Sequence, residues 1–184
     1  MGWFRNLKTW WKMLLGFSLM ILFMVVIGAA GYFGTKAIVN DLNNVFQVRL
    51  PSIDYLVQAD RDLQQLLVAE RSMLFTDVKS EMFKKLLSAY EENLRQSGER
   101  WEKYKELASR PEEKSQIGQY EAARAEWEKL SRKVVDSRLA DTREGRRLAL
   151  DLSINQAQDK FEVMRNYLND LQEKNLNLAA MANA

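Results

Sequence analysis

The side chains best suited to chemistry in this sequence are four arginines near predicted helix ends, namely Arg71, Arg143, Arg146 and Arg147. A guanidinium group binds a carboxylate or phosphate through two parallel hydrogen bonds, and the N-terminus of a helix also attracts anions. Arg71 lies near the end of one predicted helix, and the other three lie at the start of another. If consecutive helices alternate in direction, these ends meet. The sequence therefore predicts a ligand site for a small anion at that joint.

A second interpretation of these arginines stays open. Asp136, Asp141 and Glu144 lie close to the cluster in sequence. Surface arginines commonly remain solvated or pair with such neighbours, and pairs of this kind stabilise a fold very little. Under this interpretation the cluster is ordinary protein surface.

The composition argues against an enzyme. The chain has no cysteine and no histidine, which removes thiol chemistry, the commonest general base and the commonest metal ligand. Asp60 and Glu70 lie on one predicted helix about 15 Å apart along its axis, too far to share a proton. We expect each of these carboxylates to pair with an arginine of a neighbouring helix. No catalytic residue, metal site or cofactor is predicted.

An uncharged stretch at 13–35 is long enough to cross a membrane, since a bilayer core requires about 20 apolar residues of helix. Arg5, Lys8 and Lys12 precede it, and the first acidic residue, Asp41, comes after it. This bias in charge predicts that the N-terminus is cytoplasmic and that the remainder is exported.

The predicted organisation therefore has a basic cytoplasmic segment at 1–12, a transmembrane helix at 13–35 and an extracytoplasmic domain at 36–184. A cleaved signal peptide is the alternative, because small residues occupy positions 29–31. Basic and acidic residues number 27 and 25, and such a balanced charge does not favour a nucleic-acid partner.

Helix-breaking positions divide the exported part into four predicted helices, at about 50–77, 79–108, 110–140 and 142–182. Ser109 with Glu112, and Asp141 with Glu144, have the spacing of capping boxes at two of the joints. Short joints between helices of similar length favour antiparallel neighbours. The predicted fold class is all-α, with an N-terminal transmembrane helix leading into an antiparallel up-down four-helix bundle.

Apolar residues recur in alternating steps of three and four, the pattern of a helical seam. In the second predicted helix the seam is Phe83, Leu87, Tyr90, Leu94, Ser97, Trp101, Tyr104 and Ala108. In the fourth it is Leu150, Ile154, Ala157, Phe161, Met164, Leu168, Leu171, Asn175 and Leu178. Asn175 is interpreted as a polar residue that sets the register of the seam.

Several short stretches, in this order, carry a family resemblance: Arg49-Leu50-Pro51, residues 66–74 with Glu70-Arg71, Tyr120 with Trp127, residues 145–150 beginning Gly145-Arg146-Arg147, and Phe161-Glu162-Val163-Met164-Arg165. With the anchor before them, they make the chain resemble the four-helix-bundle sensor module at the front of bacterial methyl-accepting chemotaxis receptors. The resemblance covers nearly the whole chain.

The resemblance implies a homodimer in the bacterial inner membrane, with a periplasmic bundle that senses a small molecule or a periplasmic binding protein. Signal would pass inward as a small displacement of the fourth helix relative to the first. Family members continue into a second membrane span and a cytoplasmic signalling region, so we expect this chain, which ends at Ala184, to be the N-terminal part of a receptor. The family members that sense aspartate carry a set of closely spaced arginines on the first bundle helix. Here that helix has only Arg61 and Arg71, ten residues apart, so recognition of aspartate is not expected.

Two other functions remain open from the sequence. The module could precede a histidine kinase instead of a chemotaxis output. The chain could also be a single-pass coiled-coil tether or adaptor that binds another protein. A tether needs no polar interruption on the first bundle helix and no cluster of arginines at the end of the bundle far from the membrane, whereas a ligand sensor tends to have both.

Overall fold

The computed structural model describes residues 8–181, and every regular element within that range is helical. The elements are α1 (Thr9–Asn44), a π-helical segment here called π1 (Val45–Arg49), α2 (Leu50–Leu74), α3 (Glu81–Leu107), α4 (Pro111–Leu139), α5 (Arg143–Ile154) and α6 (Gln156–Met181). Residue contacts divide the chain between Asn44 and Val45 into two compact units. The units are described separately.

The first unit contains α1, whose length and composition suffice to cross a membrane. Its most apolar window has a mean hydropathy of 2.5, and none of that window is buried within the protein. The predicted span at 13–35 lies inside this helix. Apolar side chains are exposed all around α1, which is the pattern of a helix surrounded by lipid.

The second unit is a four-helix bundle, and the predicted all-α fold class is confirmed. Three of its helices are α2, α3 and α4, and the consecutive helices α5 and α6 together form the fourth. Large apolar and aromatic side chains fill the core, and the most deeply buried include Trp127, Tyr90, Tyr104, Tyr120, Phe83, Phe161, Leu63 and Met164. Most of these lie at the predicted seam positions, because a step of three or four residues returns a side chain to the same helix face.

Polar caps begin α3, α4 and α5, and two of them differ from prediction by one residue. The Ser80 hydroxyl accepts a hydrogen bond from the backbone N–H of Phe83 at 3.1 Å and begins α3. At the start of α4 the capping residue is Arg110, whose backbone N–H donates to Glu113 Oε2 at 3.1 Å. The predicted pairing of Ser109 with Glu112 is therefore wrong, because Pro111 occupies the first helical position.

The joint between α4 and α5 is capped by Thr142, not by Asp141 as predicted. The Thr142 hydroxyl accepts from the backbone N–H of Gly145 at 2.9 Å. Asp141 instead takes a left-handed backbone conformation with φ of 50°, which short polar side chains tolerate. A Cβ atom at Gly145 would lie 2.3 Å from the backbone oxygen of Ser137, so the turn requires glycine there.

The fourth predicted helix is interrupted, which the sequence reading missed. Helix α5 ends at Ile154, Asn155 has non-helical dihedral angles (φ −114°, ψ −96°), and α6 begins at Gln156. The break shifts the buried face of α5 to Ala149, Leu152 and Ser153. Leu150 and Ile154 were predicted in the seam but are 40% and 54% exposed. The later seam positions, from Ala157 to Asn175, are buried as predicted.

Candidate functional site

Polar side chains join the first bundle helix to the last at three levels. Arg49 at the end of π1 donates to Asn175 of α6 at 2.9 Å. About three helical turns further on, Asp60 of α2 accepts from Arg165. After a further three turns Arg71 donates to Gln158. The first and last helices of the bundle are thus connected along most of their length.

The level nearest the start of the bundle is a buried triad. Arg49 Nη1 lies 3.1 Å from Glu113 Oε1 and also donates to Asn175, and all three residues are at most 2% exposed. Glu113 also caps α4, so its carboxylate holds both a helix end and the arginine. Burial and then the negative charge of Glu113 raise the pKa of the adjacent Tyr104. Tyr104 therefore stays neutral beside the Arg49–Glu113 ion pair.

The middle level is a two-point ion pair. Arg165 donates from Nε to Asp60 Oδ1 at 2.7 Å and from Nη2 to Oδ2 at 3.1 Å. The hydrogen bond that Arg165 donates to Asp60 raises the pKa of Arg165, which is therefore fully charged. The predicted pairing of Asp60 with an arginine of a neighbouring helix is confirmed. Glu70, for which the same was predicted, has different partners.

Glu70 is a carboxyl group in the core of the bundle, 1% exposed. Its Oε2 accepts from the Ser131 hydroxyl at 2.5 Å, and its Oε1 accepts from the Ser153 hydroxyl at 2.7 Å. Ser131 is also 3.0 Å from the Tyr90 hydroxyl. One hydrogen-bonded group of side chains therefore connects α2, α3, α4 and α5. Within residues 8–181 no basic side chain forms an ion pair with Glu70.

Burial governs the protonation of this group. Removal from water raises the pKa of Glu70, although the hydroxyls of Ser131 and Ser153 and the charge of Arg71 partly oppose the change. Burial also raises the pKa of Tyr90 to about 12, so the phenol remains neutral at any ordinary pH. Glu70 is therefore the member of the group whose pKa lies above its ordinary value while that of Tyr90 is too high for the phenol to ionise.

The four arginines of the predicted anion site are not gathered at one point. Arg71 is half-buried and its guanidinium group donates to Gln158 on α6. Arg146 donates to Asp141 Oδ1 at 2.8 Å, so the sequence neighbour considered in the second interpretation is its partner. Arg143, Arg146 and Arg147 all lie on α5, whereas the partner of Arg71 lies on α6, beyond the break at Asn155.

The α5 arginines border an open surface. Arg143 and Arg147 are exposed, and Arg147 lines a shallow depression with Glu144, Leu148 and Asp151. The neighbouring Arg138 is buried and does not belong to this surface. It donates to the backbone oxygens of Met73 at 3.0 Å and Thr76 at 2.6 Å, and so caps the end of α2.

Two clefts lie elsewhere on the bundle. One, of about 460 Å³, runs between α2 and α3 and is lined by Arg61, Gln64, Gln65, Val68, Ala69, Leu86, Ala89 and Asn93. Another, of about 250 Å³, lies beside the buried triad and is lined by Arg110, Glu112, Glu113, Lys174, Asn177 and Leu178. Among residues 8–181 no group of acidic side chains is arranged to hold a metal ion.

The outward face of π1 and α2 carries exposed apolar side chains. They are Phe46, Leu50, Val57, Val68 and Phe75, which are 63%, 46%, 49%, 65% and 83% exposed. Phe46 and Leu50 are four residues apart, and each later member follows the one before it by seven or eleven residues. These spacings place the side chains on one side of the helix. This side is distinct from the buried seam of Leu56, Leu63 and Leu67.

Several of the polar contacts were not predicted from the sequence. The partners of Glu70 are serines, and serines in a helix give no periodic signal. The sequence indicated Arg49 only as part of the motif Arg49-Leu50-Pro51. Glu113 was only the residue next to the predicted capping residue Glu112. Buried polar residues at seam positions, such as Ser97 and Asn175, were the available signal of a polar core.

The described residues thus form a helix long and apolar enough to cross a membrane, followed by a four-helix bundle whose first and last helices are linked by polar pairs. The family model described as a four helix bundle sensory module for signal transduction matches residues 6–184. The chain belongs to this family, which is the sensor module of chemoreceptor-type proteins. The suspected resemblance is thereby confirmed. No curated protein and no solved structure matched the chain.

Proposed function

We propose that this chain is the periplasmic ligand-sensing part of a chemoreceptor in the bacterial inner membrane, with its N-terminus in the cytoplasm. Ligand binding is passed on as a small shift of α6 relative to α2, toward a signalling module beyond this chain. The candidate span within α1 and the positive charges before it support this orientation. Membership of a sensory family supports signalling rather than catalysis.

The connection of α2 to α6 at three levels is the observation that carries the proposal. A sensor must transfer a change in one helix to another, and a ligand does so only if it binds the two arrangements differently. The contacts Arg49–Asn175, Asp60–Arg165 and Arg71–Gln158 join the helix that follows the anchor to the helix that leaves the bundle. A shift of α6 changes all three.

Buried polar groups within the seam favour a sensor over a tether or adaptor. Glu70, Glu113 and Asn175 are each at most 1% exposed. Burial of polar side chains costs stability relative to an apolar core, and a tether has no need of them. The bundle would act as the sensor in the same way whether the receptor controls chemotaxis or a histidine kinase.

We infer that the ligand is a small anion, or a periplasmic binding protein with an acidic surface, and that it contacts the end of the bundle where α5 begins. Arg143, Arg146 and Arg147 lie together on the first turns of α5. The partial positive charge of the helix N-terminus adds to theirs. Arg71 belongs to this site only if Gln158 releases it.

The test is a thermal-shift screen of the whole chain in lipid nanodiscs against amino acids, organic acids and phosphates. A ligand that binds only the folded state raises Tm with its concentration. We expect one class of anion to do so, and Arg146→Ala or Arg147→Ala to abolish the rise. Arg95→Ala serves as the matched control, because Arg95 is an exposed arginine of α3 paired with Glu92.

Two outcomes contradict parts of this proposal. If no compound raises Tm, direct sensing of a small anion is wrong. If an anion raises Tm equally in Arg146→Ala and Arg95→Ala, the site lies elsewhere. Loss of the rise in Arg71→Ala as well would place Arg71 in the same site as the α5 arginines.

We also propose that the chain forms a homodimer through the exposed apolar face of π1 and α2. A row of exposed apolar side chains along a helix is the feature expected of a helix-to-helix interface. In a twofold dimer formed through this face the two α2 helices pack in parallel, so the residues nearest the axis lie close to their own counterparts.

A further inference from the structure

The break between α5 and α6 lies beside the buried carboxyl group. Ser153, the hydroxyl donor to Glu70 Oε1 at 2.7 Å, is the second-last residue of α5. Asn155 follows as the non-helical residue, and Gln158 in the first turn of α6 accepts from Arg71. Two consecutive residues of α2 therefore bind the two sides of the break. Glu70 binds the end of α5, and Arg71 binds the start of α6.

The surroundings of Glu70 do not neutralise a negative charge. Arg71, next in sequence, interacts with it only at a distance, and its guanidinium group is bonded to Gln158. From α3 the facing ionisable group is Tyr90, which stays protonated. From α4 it is Arg132, which lies over the Tyr90 ring at 5.6 Å and pairs with Glu91 at 2.5 Å.

The remaining helices bring no cation to Glu70 either. From α5 the facing group is the neutral Ser153, and the charged Asp151 of that helix is exposed and accepts from Asn155 at 2.9 Å. From α6, Gln158 is a neutral amide bonded to Arg71. An ionised Glu70 would therefore rely on two serine hydroxyls and the more distant charge of Arg71, whereas a buried carboxylate ordinarily requires a directly bonded positive partner.

We propose that the α5–α6 joint is a proton-responsive hinge, with Glu70 as the group that binds and releases the proton. With Glu70 protonated, the carboxyl group remains buried and the joint stays closed. When Glu70 loses its proton to solvent, the carboxylate gains hydration if the end of α5 moves away from α2. The contact with Ser153 is the one that such a movement opens.

Thermodynamic linkage gives the direction of the effect. Burial raises the pKa of Glu70 in the closed state, and exposure to water on opening returns it toward the ordinary value. Between these two pKa values the closed joint holds a proton that the open joint does not. Rising pH therefore favours the open joint, by up to about tenfold for each pH unit within that interval.

This input is independent of any ligand at the arginines of α5. In the closed joint Ser153 links the end of α5 to Glu70 of α2, and the helix that follows, α6, is the one whose shift is proposed to carry the signal. The hinge would make the sensor respond to the acidity of its compartment as well as to its ligand. If no anion raises Tm, the hinge proposal still stands. If the hinge proposal is wrong, the proposed anion site is not affected.

Hydrogen exchange of the whole chain in nanodiscs tests the hinge. The measurement compares peptides that cover residues 150–160 between about pH 5 and pH 8, after correction for the intrinsic pH dependence of exchange. We expect protection in wild type to fall as pH rises, through a single-proton transition. The isosteric change Glu70→Gln should abolish that transition, and Glu106→Gln, at an exposed glutamate of α3, should retain it.

A second variant separates the hinge from a general effect of the buried charge. In Ser153→Ala the carboxyl group keeps its Ser131 contact but loses its link to α5. Infrared spectroscopy of the protonated carboxyl band should still report titration of Glu70, while protection of residues 150–160 no longer follows it. A pH transition in that region that persists in Glu70→Gln, or its absence in wild type, would overturn the proposal.

Discussion

Glu70 makes stability depend on pH at the level of a single residue. Its pKa is raised by burial in the folded chain and is ordinary in the unfolded chain. The folded state therefore holds more protons in the interval between the two values, and stability falls as pH rises through it. The slope is about 1.4 kcal/mol per pH unit, and below the ordinary pKa there is no penalty.

We predict that Glu70→Gln becomes more stable relative to wild type as pH rises from about 4 to 8. The difference should be smallest at the acid end, where Glu70 is protonated in both folded and unfolded chains. Thermal unfolding followed by circular dichroism in detergent measures it. A difference in Tm that is constant over this range would show that Glu70 does not titrate between the two states.

At the level of the element, the turn between α4 and α5 requires a glycine. A Cβ atom at Gly145 would meet the backbone oxygen of Ser137 at 2.3 Å, and backbone cannot turn aside as a side chain can. We predict that Gly145→Ala lowers the free energy of unfolding by about 1–3 kcal/mol. Chemical denaturation of the whole chain in detergent measures this change.

Gly118 provides the matched control for that substitution. It lies within α4, and a Cβ atom there would have no neighbour within 4 Å. Gly118→Ala should therefore raise the free energy of unfolding by about 0.5–1 kcal/mol, because alanine loses less backbone freedom in a helix. Equal effects of the two substitutions would mean that the turn is not as tight as described.

The ion pair between α2 and α6 should be measurable as a coupling energy. Asp60 and Arg165 are only partly exposed and share two hydrogen bonds. We predict a coupling of about 1 kcal/mol in a double-mutant cycle of Asp60→Asn and Arg165→Gln. A coupling near zero would remove this pair from the connection between the two helices, and high salt should reduce the coupling only modestly.

The seams of the helices were predictable from sequence, whereas the contacts between helices were not. The spacing of apolar residues along a single helix is enough to place Tyr90, Trp101 and Phe161 in the core, because it requires no knowledge of the other helices. The partners of Glu70 depend on the rotation and axial offset of four helices, which no single period reports. The α5–α6 break was missed because it contains neither glycine nor proline. Arg146 of α5 pairs with Asp141, its neighbour in sequence.

For the whole molecule, the sharpest expectation concerns the homodimer. The chain has no cysteine, so single cysteines report proximity without background. We predict that Val57→Cys and Val68→Cys, on the exposed face of α2, form disulfide-linked dimers in membranes under mild oxidation. Glu106→Cys, an exposed position on α3, should not.

The cross-linking result also tests the arrangement of the two copies. Residues near a twofold axis between parallel helices meet their own counterparts, so both α2 positions should respond together. Cross-linking at neither position, or equally at Glu106→Cys, would contradict the proposed interface. Cross-linking at only one position would indicate that the two helices cross and diverge.

The even spacing of the contacts along the first bundle helix limits how far the last helix can travel. Arg49, Asp60 and Arg71 lie about three turns apart, so their contacts form a straight line along the helix. A slide of α6 by one turn, about 5.4 Å, would break all three together, whereas rotation of the side chains absorbs a slide of about 1–2 Å. The shift of α6 that we propose would therefore be limited to about 1–2 Å, and a stronger stimulus would shift a larger fraction of the molecules instead of moving the helix further.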